Sequence, residues 1–267
     1  MVKEFLLLLK KIEDHLGRLI EFEYPPKRII SLCPGITDTL FSLQLENEII
    51  GRTKYCIHPN DKVKTVATVG GTKKIKMDII HKLKPDLIFA EKEENTKEMV
   101  EELEEFFPVY VAEVQSIKDA YRMIHDVGVV TNPEKLAEQL VTTIKAKFHK
   151  LPQAHGKRAA YVIWRKPYMV VGKETYIHSL LEKIGFINPF TELNGRYPVV
   201  SREDFQNAKL DYLLLATEPF PFQEKHKLEF AEFLPNIEQI IVDGEMFWYG
   251  PRMLEATEYF KDILGDL

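Results

Sequence analysis

Cys56 and His58 are separated by a single residue in the segment Gly51 to Pro59. In an extended chain the side-chain period of two puts a thiol and an imidazole on one face. Such a pair can bind a transition metal directly, or act as a cysteine nucleophile with a base in reach. Two ligands fall short of a closed metal site, so the pair reads equally as a packed thiol and a loop histidine. Glu93 and Glu94 follow an apolar strand, at the end where an open α/β sheet presents its ligand loops. Asn95 reads as the cap of the next helix.

A second set is aromatic. Trp164, Arg165 and Tyr168 close one apolar run, Tyr197 precedes Val199, and Trp248 and Tyr249 precede Gly250-Pro251. Planar rings beside an arginine suit a flat, partly charged ligand through stacking and cation–π contact. Ser31 and Ser201 lack a nucleophile elbow, and neither a phosphate-binding loop nor a dinucleotide fingerprint is present. The reading is therefore of a binding protein and not an enzyme, with no intrinsic cofactor. The alternatives are a Cys56/His58 cofactor-processing enzyme or a direct transition-metal binder.

Composition bounds the partners. The chain has 267 residues, 45% hydrophobic, with a formal net charge of −5. That length suits two modest lobes. The charge argues against nucleic acid, which needs a basic face. Two cysteines make no disulfide framework. No segment is apolar for long enough to insert in a membrane. Phe5 to Leu9 is shorter than a secretory apolar region, so the chain as written reads as cytoplasmic, or as periplasmic or cell-surface if a leader has been removed. Nothing demands more than a monomer.

Short strands alternating with helices indicate parallel sheets. Strands are expected at Leu19–Tyr24, Arg28–Cys33, Glu48–Gly51, Val63–Val66 and Asp86–Ala90, with a turn at Asp14–Arg18. Before that turn, Val2, Phe5, Leu6, Leu9, Ile12 and Leu16 fit a helical stripe. Thr37 or Asp38 can open a helix, and further helices fit Met77–Leu83 and Asn95–Phe106. Ser116 to Leu151 is rich in helix formers, restarting at Asn132-Pro133. From Pro133 to Phe148 apolar residues recur every four positions, a helix of about 24 Å. The second half repeats the alternation, with strands at Arg158–Ile163, Leu210–Ala216 and Gln239–Val242 and helices at Tyr176–Ile184 and Arg252–Leu264. Ser201 and Asp204 form a capping-box variant. The domain reading is an N-terminal α/β lobe over 1–115, a connecting helical region over 116–151 and a C-terminal α/β lobe over 152–267.

The segment Arg28 to Asp38, the block Gly51 to Pro59, Val69 to Thr72, Leu83 to Leu87, Gly172 to Glu174, Val200 to Glu203 and Gly250 to Arg252 resemble the cobalamin and iron-siderophore binding proteins of ABC importers, the helical-backbone metal receptors. The resemblance runs from about Asp14 to the C-terminus. It implies two Rossmann-like lobes joined by a single long backbone helix, Pro133 to Phe148, with the ligand in a cleft between the lobes. It implies that Tyr55 contacts the ligand, and that Tyr197 stands where the family has tryptophan. Val69 also stands at a family tryptophan position, and Trp164 falls near a family aromatic. It further implies that Asp78 and Glu203, one acid per lobe, dock on arginines of a permease. Members that bind bare metal use a histidine set that is missing here, so the implied ligand is a metal chelate: a corrinoid, a haem-like molecule or a ferric siderophore.

Overall fold

The computed structural model describes residues 8–265. Its chain divides into two compact units. One runs to Val114 and resumes at Lys118–Ile144; the other comprises Gln115–Ile117 and the chain from Lys145 onward.

The first unit opens with a hairpin, β1 (Leu9–Glu13) and β2 (Leu19–Glu23), paired antiparallel with Leu9 opposite Glu23 and Glu13 opposite Leu19. Leu9 and Ile12 therefore lie in a strand, where the apolar spacing also allows a helix; Val2, Phe5 and Leu6 fall outside the described residues. The hairpin turn forms where Asp14 stops the alternation. Asp14 is buried, and its carboxylate accepts from the Leu16 and Arg18 backbone and from the Arg18 guanidinium.

Next come β3 (Ile29–Ser31), α1 (Pro34–Ser42), β4 (Ile49–Arg52) and β5 (Ala67–Thr68). They are followed by α2 (Met77–Leu83), β6 (Leu87–Glu91), α3 (Lys97–Glu104) and β7 (Val109–Ala112). The five strands make a wholly parallel sheet in the order β5-β4-β3-β6-β7. The order reverses between β3 and β6, and an open α/β sheet binds at such a switch point. The strands β3, β6 and β7 are buried throughout, which is why their sequences are apolar runs.

Three local expectations change. The helix α1 starts at Pro34, ahead of Thr37, because proline at the first position needs no amide partner. Residues Val63–Thr65 form a 3₁₀ turn, and the strand is the short β5 just beyond it. The cap of α3 is Thr96, whose Oγ1 accepts from Met99 N at 3.2 Å, since Asn95 is turned inward.

The helical stretch consists of α4 (Ile117–Thr131) and α5 (Glu134–Phe148), each 15 residues long. Asn132, at φ 89°, and Pro133 separate them. The second unit holds β8 (Ala159–Trp164), β9 (Tyr168–Val170), α6 (Tyr176–Lys183), β10 (Val199–Val200) and α7 (Arg202–Asn207). It continues with β11 (Tyr212–Ala216), α8 (Glu224–Ala231), β12 (Glu238–Val242) and α9 (Met253–Gly265). Its sheet runs β10-β9-β8-β11-β12. The pairs β8–β11 and β11–β12 are parallel, whereas β9 pairs antiparallel with both β8 and β10. The parallel reading thus holds for the first sheet and for half of the second. The antiparallel β9 arises because Lys166-Pro167 turns the chain straight back, without a crossover helix. Its core is aromatic, with Phe205, Phe222 and Phe230 almost fully buried.

Candidate functional site

In the first unit, the loops after β4, β5 and β6 leave the carboxyl edge of the sheet. The loop after β4 carries Tyr55. The residue is 49% exposed, and its ring lies against Gly71, where an added Cβ would sit 3.3 Å from Cε2. Lys54 Nζ stands 4.8 Å from the centre of the same ring. Gly71 belongs to the loop after β5, whose turn needs Gly70 at φ 123°: a Cβ there would meet the Lys74 carbonyl at 2.5 Å.

The loop after β6 is held from beneath. Asn95 is buried, and its Nδ2 donates to Thr72 O at 2.9 Å and Leu32 O at 3.3 Å, while its Oδ1 accepts from Glu91 N at 2.9 Å. One amide therefore joins the ends of β3, β5 and β6. Glu91, also buried, accepts through its carboxyl group from Glu93 N at 2.8 Å, Glu94 N at 3.0 Å and Val114 N at 3.1 Å. Burial pushes Glu91 up to about 7, outweighing those amides, and the Glu93 charge adds to the rise. Burial also raises Glu94, against the pull of Lys73. Lys73 Nζ donates to the Glu93 carbonyl. The structure thus brings Tyr55, Glu93 and Glu94 to one edge. Sequence reasoning missed Glu91 and Asn95 as its supports. Their signal is a carboxylate and an amide closing a run of fully buried strand residues, where an unpaired polar group would be costly.

Cys56 lies under this edge. The thiol is 1% exposed; Thr37 Oγ1 donates to its sulfur at 3.0 Å, and Thr53 Oγ1 lies 3.2 Å away. Burial raises its pKa, with the two threonine hydroxyls pulling back. A turn at Lys54–Tyr55 precedes Cys56, and residues 56–58 belong to no strand, so the strand face expected for Cys56 and His58 is absent. His58 is half-buried and engaged in interactions of its own. Among the described residues, the trio of side chains close enough to share a metal ion is His125, Glu134 and Glu138, without Cys56 or His58.

In the second unit, β8 ends at Trp164, which is 39% exposed and packs edge-on against Phe220 with ring centres 5.7 Å apart. Arg165 and Tyr168 face a different partner. Both bond to the Glu229 carboxylate of α8, with the Tyr168 hydroxyl donating at 2.5 Å. Burial raises Glu229, but Tyr168 and Arg165 outweigh it and hold the group below its usual range. The Tyr168 ring packs on Phe205, Phe230 and Phe233, so it belongs to the core. Trp248 donates through Nε1 to Glu218, just past β11. Gly244 allows this. A Cβ there would sit 2.3 Å from Glu218 Cγ, and Gly244 N donates to Thr217 Oγ1 at 2.9 Å. Tyr249 packs edge-on against Tyr176 at 5.5 Å. Tyr197 and Glu218 both bear on the buried Tyr161 hydroxyl, which is pushed well above its usual range, mainly by burial. Glu218 and Glu229 are further residues that the sequence reading missed; Glu218 precedes Pro219-Phe220 and Glu229 lies between Leu228 and Phe230 on α8, and neither position signals its distant partner.

Asp78 and Glu203 are both exposed, and each sits in the first turn of a short helix, α2 and α7. The α7 cap is a complete capping box between Ser201 and Asp204, which leaves Glu203 outside it.

A periplasmic binding protein family model matches residues 29–236. The chain belongs to the periplasmic binding protein family. A vitamin B12-binding protein of Pectobacterium atrosepticum is 22% identical over 255 residues, covering 91% of this chain and 90% of that one. The crystal structure of the periplasmic vitamin B12 binding protein of Vibrio cholerae superposes with a TM-score of 0.71 at 21% identity, over 91% of this chain and 98% of that one. The periplasmic heme binding protein of Vibrio cholerae gives a TM-score of 0.74 at 18% identity, over 89% and 98%. At those identities the likeness establishes the shared fold of periplasmic binding proteins. No helix of the described residues is long and apolar enough to cross a membrane.

Proposed function

We propose that the chain is the substrate-binding component of an ABC-type importer, or an intracellular relative of one, and that it captures a metal chelate of corrinoid, haem or ferric siderophore type. It acts by binding and not by turnover. The observation that carries this reading is the half-exposed Tyr55, its ring against Gly71, at the carboxyl edge of a doubly wound sheet in a chain of this family. Trp164 offers a second exposed ring at the end of β8. Flat chelates gain from such rings by stacking and by removal of apolar area from water. The relatives named for vitamin B12 and heme support these ligand classes.

Glu93, Glu94 and Lys73 offer the ligand polar contacts at the Tyr55 edge, and Tyr197 and Trp248 are further rings for stacking or packing in the second unit. The buried Cys56 thiol argues against thiolate chemistry, since burial disfavours the charged nucleophile. Asp78 and Glu203 are the acids that dock on basic side chains of a permease. Their exposed positions support this, although acids in a first helical turn also gain from the helix dipole. Two compact units support a two-lobed reading, with α5 as its backbone helix.

The test is absorbance titration with cyanocobalamin, haemin and a ferric hydroxamate. Saturable binding of one of them tighter than about 100 µM, roughly 5.5 kcal/mol, is expected. Failure of all three overturns the reading.

A further inference from the structure

His125, on α4, faces Glu134 and Glu138, one turn apart on α5. One ligand atom from each lies within 4.8 Å of the others, and His125 Nε2 stands 3.9 Å from Glu134 Oε1. We propose that this trio is a binding site for a borderline divalent cation of the zinc class, separate from the chelate site.

Four observations carry it. The first is donor chemistry: one imidazole nitrogen with two carboxylates suits zinc and its neighbours and leaves a coordination position for water. The second is spacing. Residues four apart on a helix share a face, so Glu134 and Glu138 present their oxygens together. Donors around a tetrahedral ion with bonds of about 2.0–2.1 Å lie roughly 3.3 Å apart, a closure that the exposed glutamate side chains reach by rotation.

The third is the orientation of the imidazole. His125 Nδ1 lies 3.2 Å from Asp126 Oδ1. With Nδ1 turned to that carboxylate, Nε2 is the ring nitrogen that faces the glutamates. A carboxylate behind a histidine is the usual support of a metal ligand. Asp126 is itself fixed by Tyr110 Oη at 3.0 Å, His15 Nε2 at 3.2 Å and Arg122 Nε at 3.3 Å.

The fourth is the platform. A Cβ on Gly128 would lie 2.4 Å from Ala137 Cβ, so glycine lets α4 and α5 approach closely next to the trio. Bound metal therefore clamps one helix to the other.

The test uses the full chain free of any affinity tag, titrated with zinc chloride by calorimetry and by thermal melting. Binding of one equivalent and a raised Tm are expected. His125→Ala and the double variant Glu134→Gln/Glu138→Gln lower the affinity at least about tenfold, and Asp126→Asn by about 10- to 100-fold. His125 is partly exposed, so its alanine variant keeps its metal-free melting point, and its titration with the chelates above is unchanged. Absence of saturable zinc binding below about 1 mM overturns the proposal. So does equal affinity in wild type and His125→Ala.

Discussion

The Asn95 side-chain amide donates to the Leu32 carbonyl at 3.3 Å, joining the carboxyl ends of β6 and β3 at the point where strand order reverses. The same nitrogen reaches Thr72, and the amide oxygen receives Glu91 N. A single side chain thus fixes the base on which Tyr55, Glu93 and Glu94 are presented.

Replacing Asn95 with leucine keeps the volume but leaves buried backbone groups without partners. Each such group costs about 1–3 kcal/mol, so Asn95→Leu is expected to lose on the order of 3 kcal/mol in urea unfolding. An unchanged midpoint would show that the three loops do not depend on this amide.

Glu91 sets a pH dependence. Its folded-state pKa, about 7, lies above the ordinary 4.5, so the folded protein binds more protons between those values. Stability is therefore highest below about pH 4.5 as far as this group is concerned, falls as pH rises to 7, and is level beyond. The full difference is on the order of 3 kcal/mol. Burial raises Glu94 in the same direction, so the comparison is between wild type and Glu91→Gln. The difference in unfolding free energy between them should slope from pH 5 to 7; a flat difference would place Glu91 in its ordinary range.

Both thiols are shielded: Cys33 and Cys56 are each 1% exposed. Reaction with a chromogenic disulfide is expected to require opening of the structure, and to be slower than in denaturant by at least about a hundredfold. Fast reaction at Cys56 in the native protein would revive the nucleophile reading.

Gly244 is the seat of Glu218, and Glu218 holds Trp248. Gly244→Ala should displace the carboxylate and cost about 1–3 kcal/mol, with a change in tryptophan emission. Glu218→Gln, which keeps the shape, should retain stability better than Gly244→Ala. The reverse order would mean that the carboxylate charge and not its position matters.

Much of the architecture is legible in the chain. The helix Met77–Leu83 is legible to the residue, and the capping box at Ser201 and Asp204 is present. Buried strands announce themselves as apolar runs, because both faces of a covered sheet leave water. Short strands are not legible in this way. β5, β9 and β10 are two or three residues long, below the length at which a period of two shows.

The chain by itself determined the alternation of strands and helices, the family motifs and the aromatic content of the edges, since these follow from local hydrophobic period and residue type. Tertiary structure alone decided the partners. Cys56 went under the edge while Tyr55, one residue before it, stayed half-exposed. Arg165 met Glu229 from 64 residues away, and Asn95 met Leu32 from 63. Such contacts depend on strand order and long-range packing, and no local spacing encodes them.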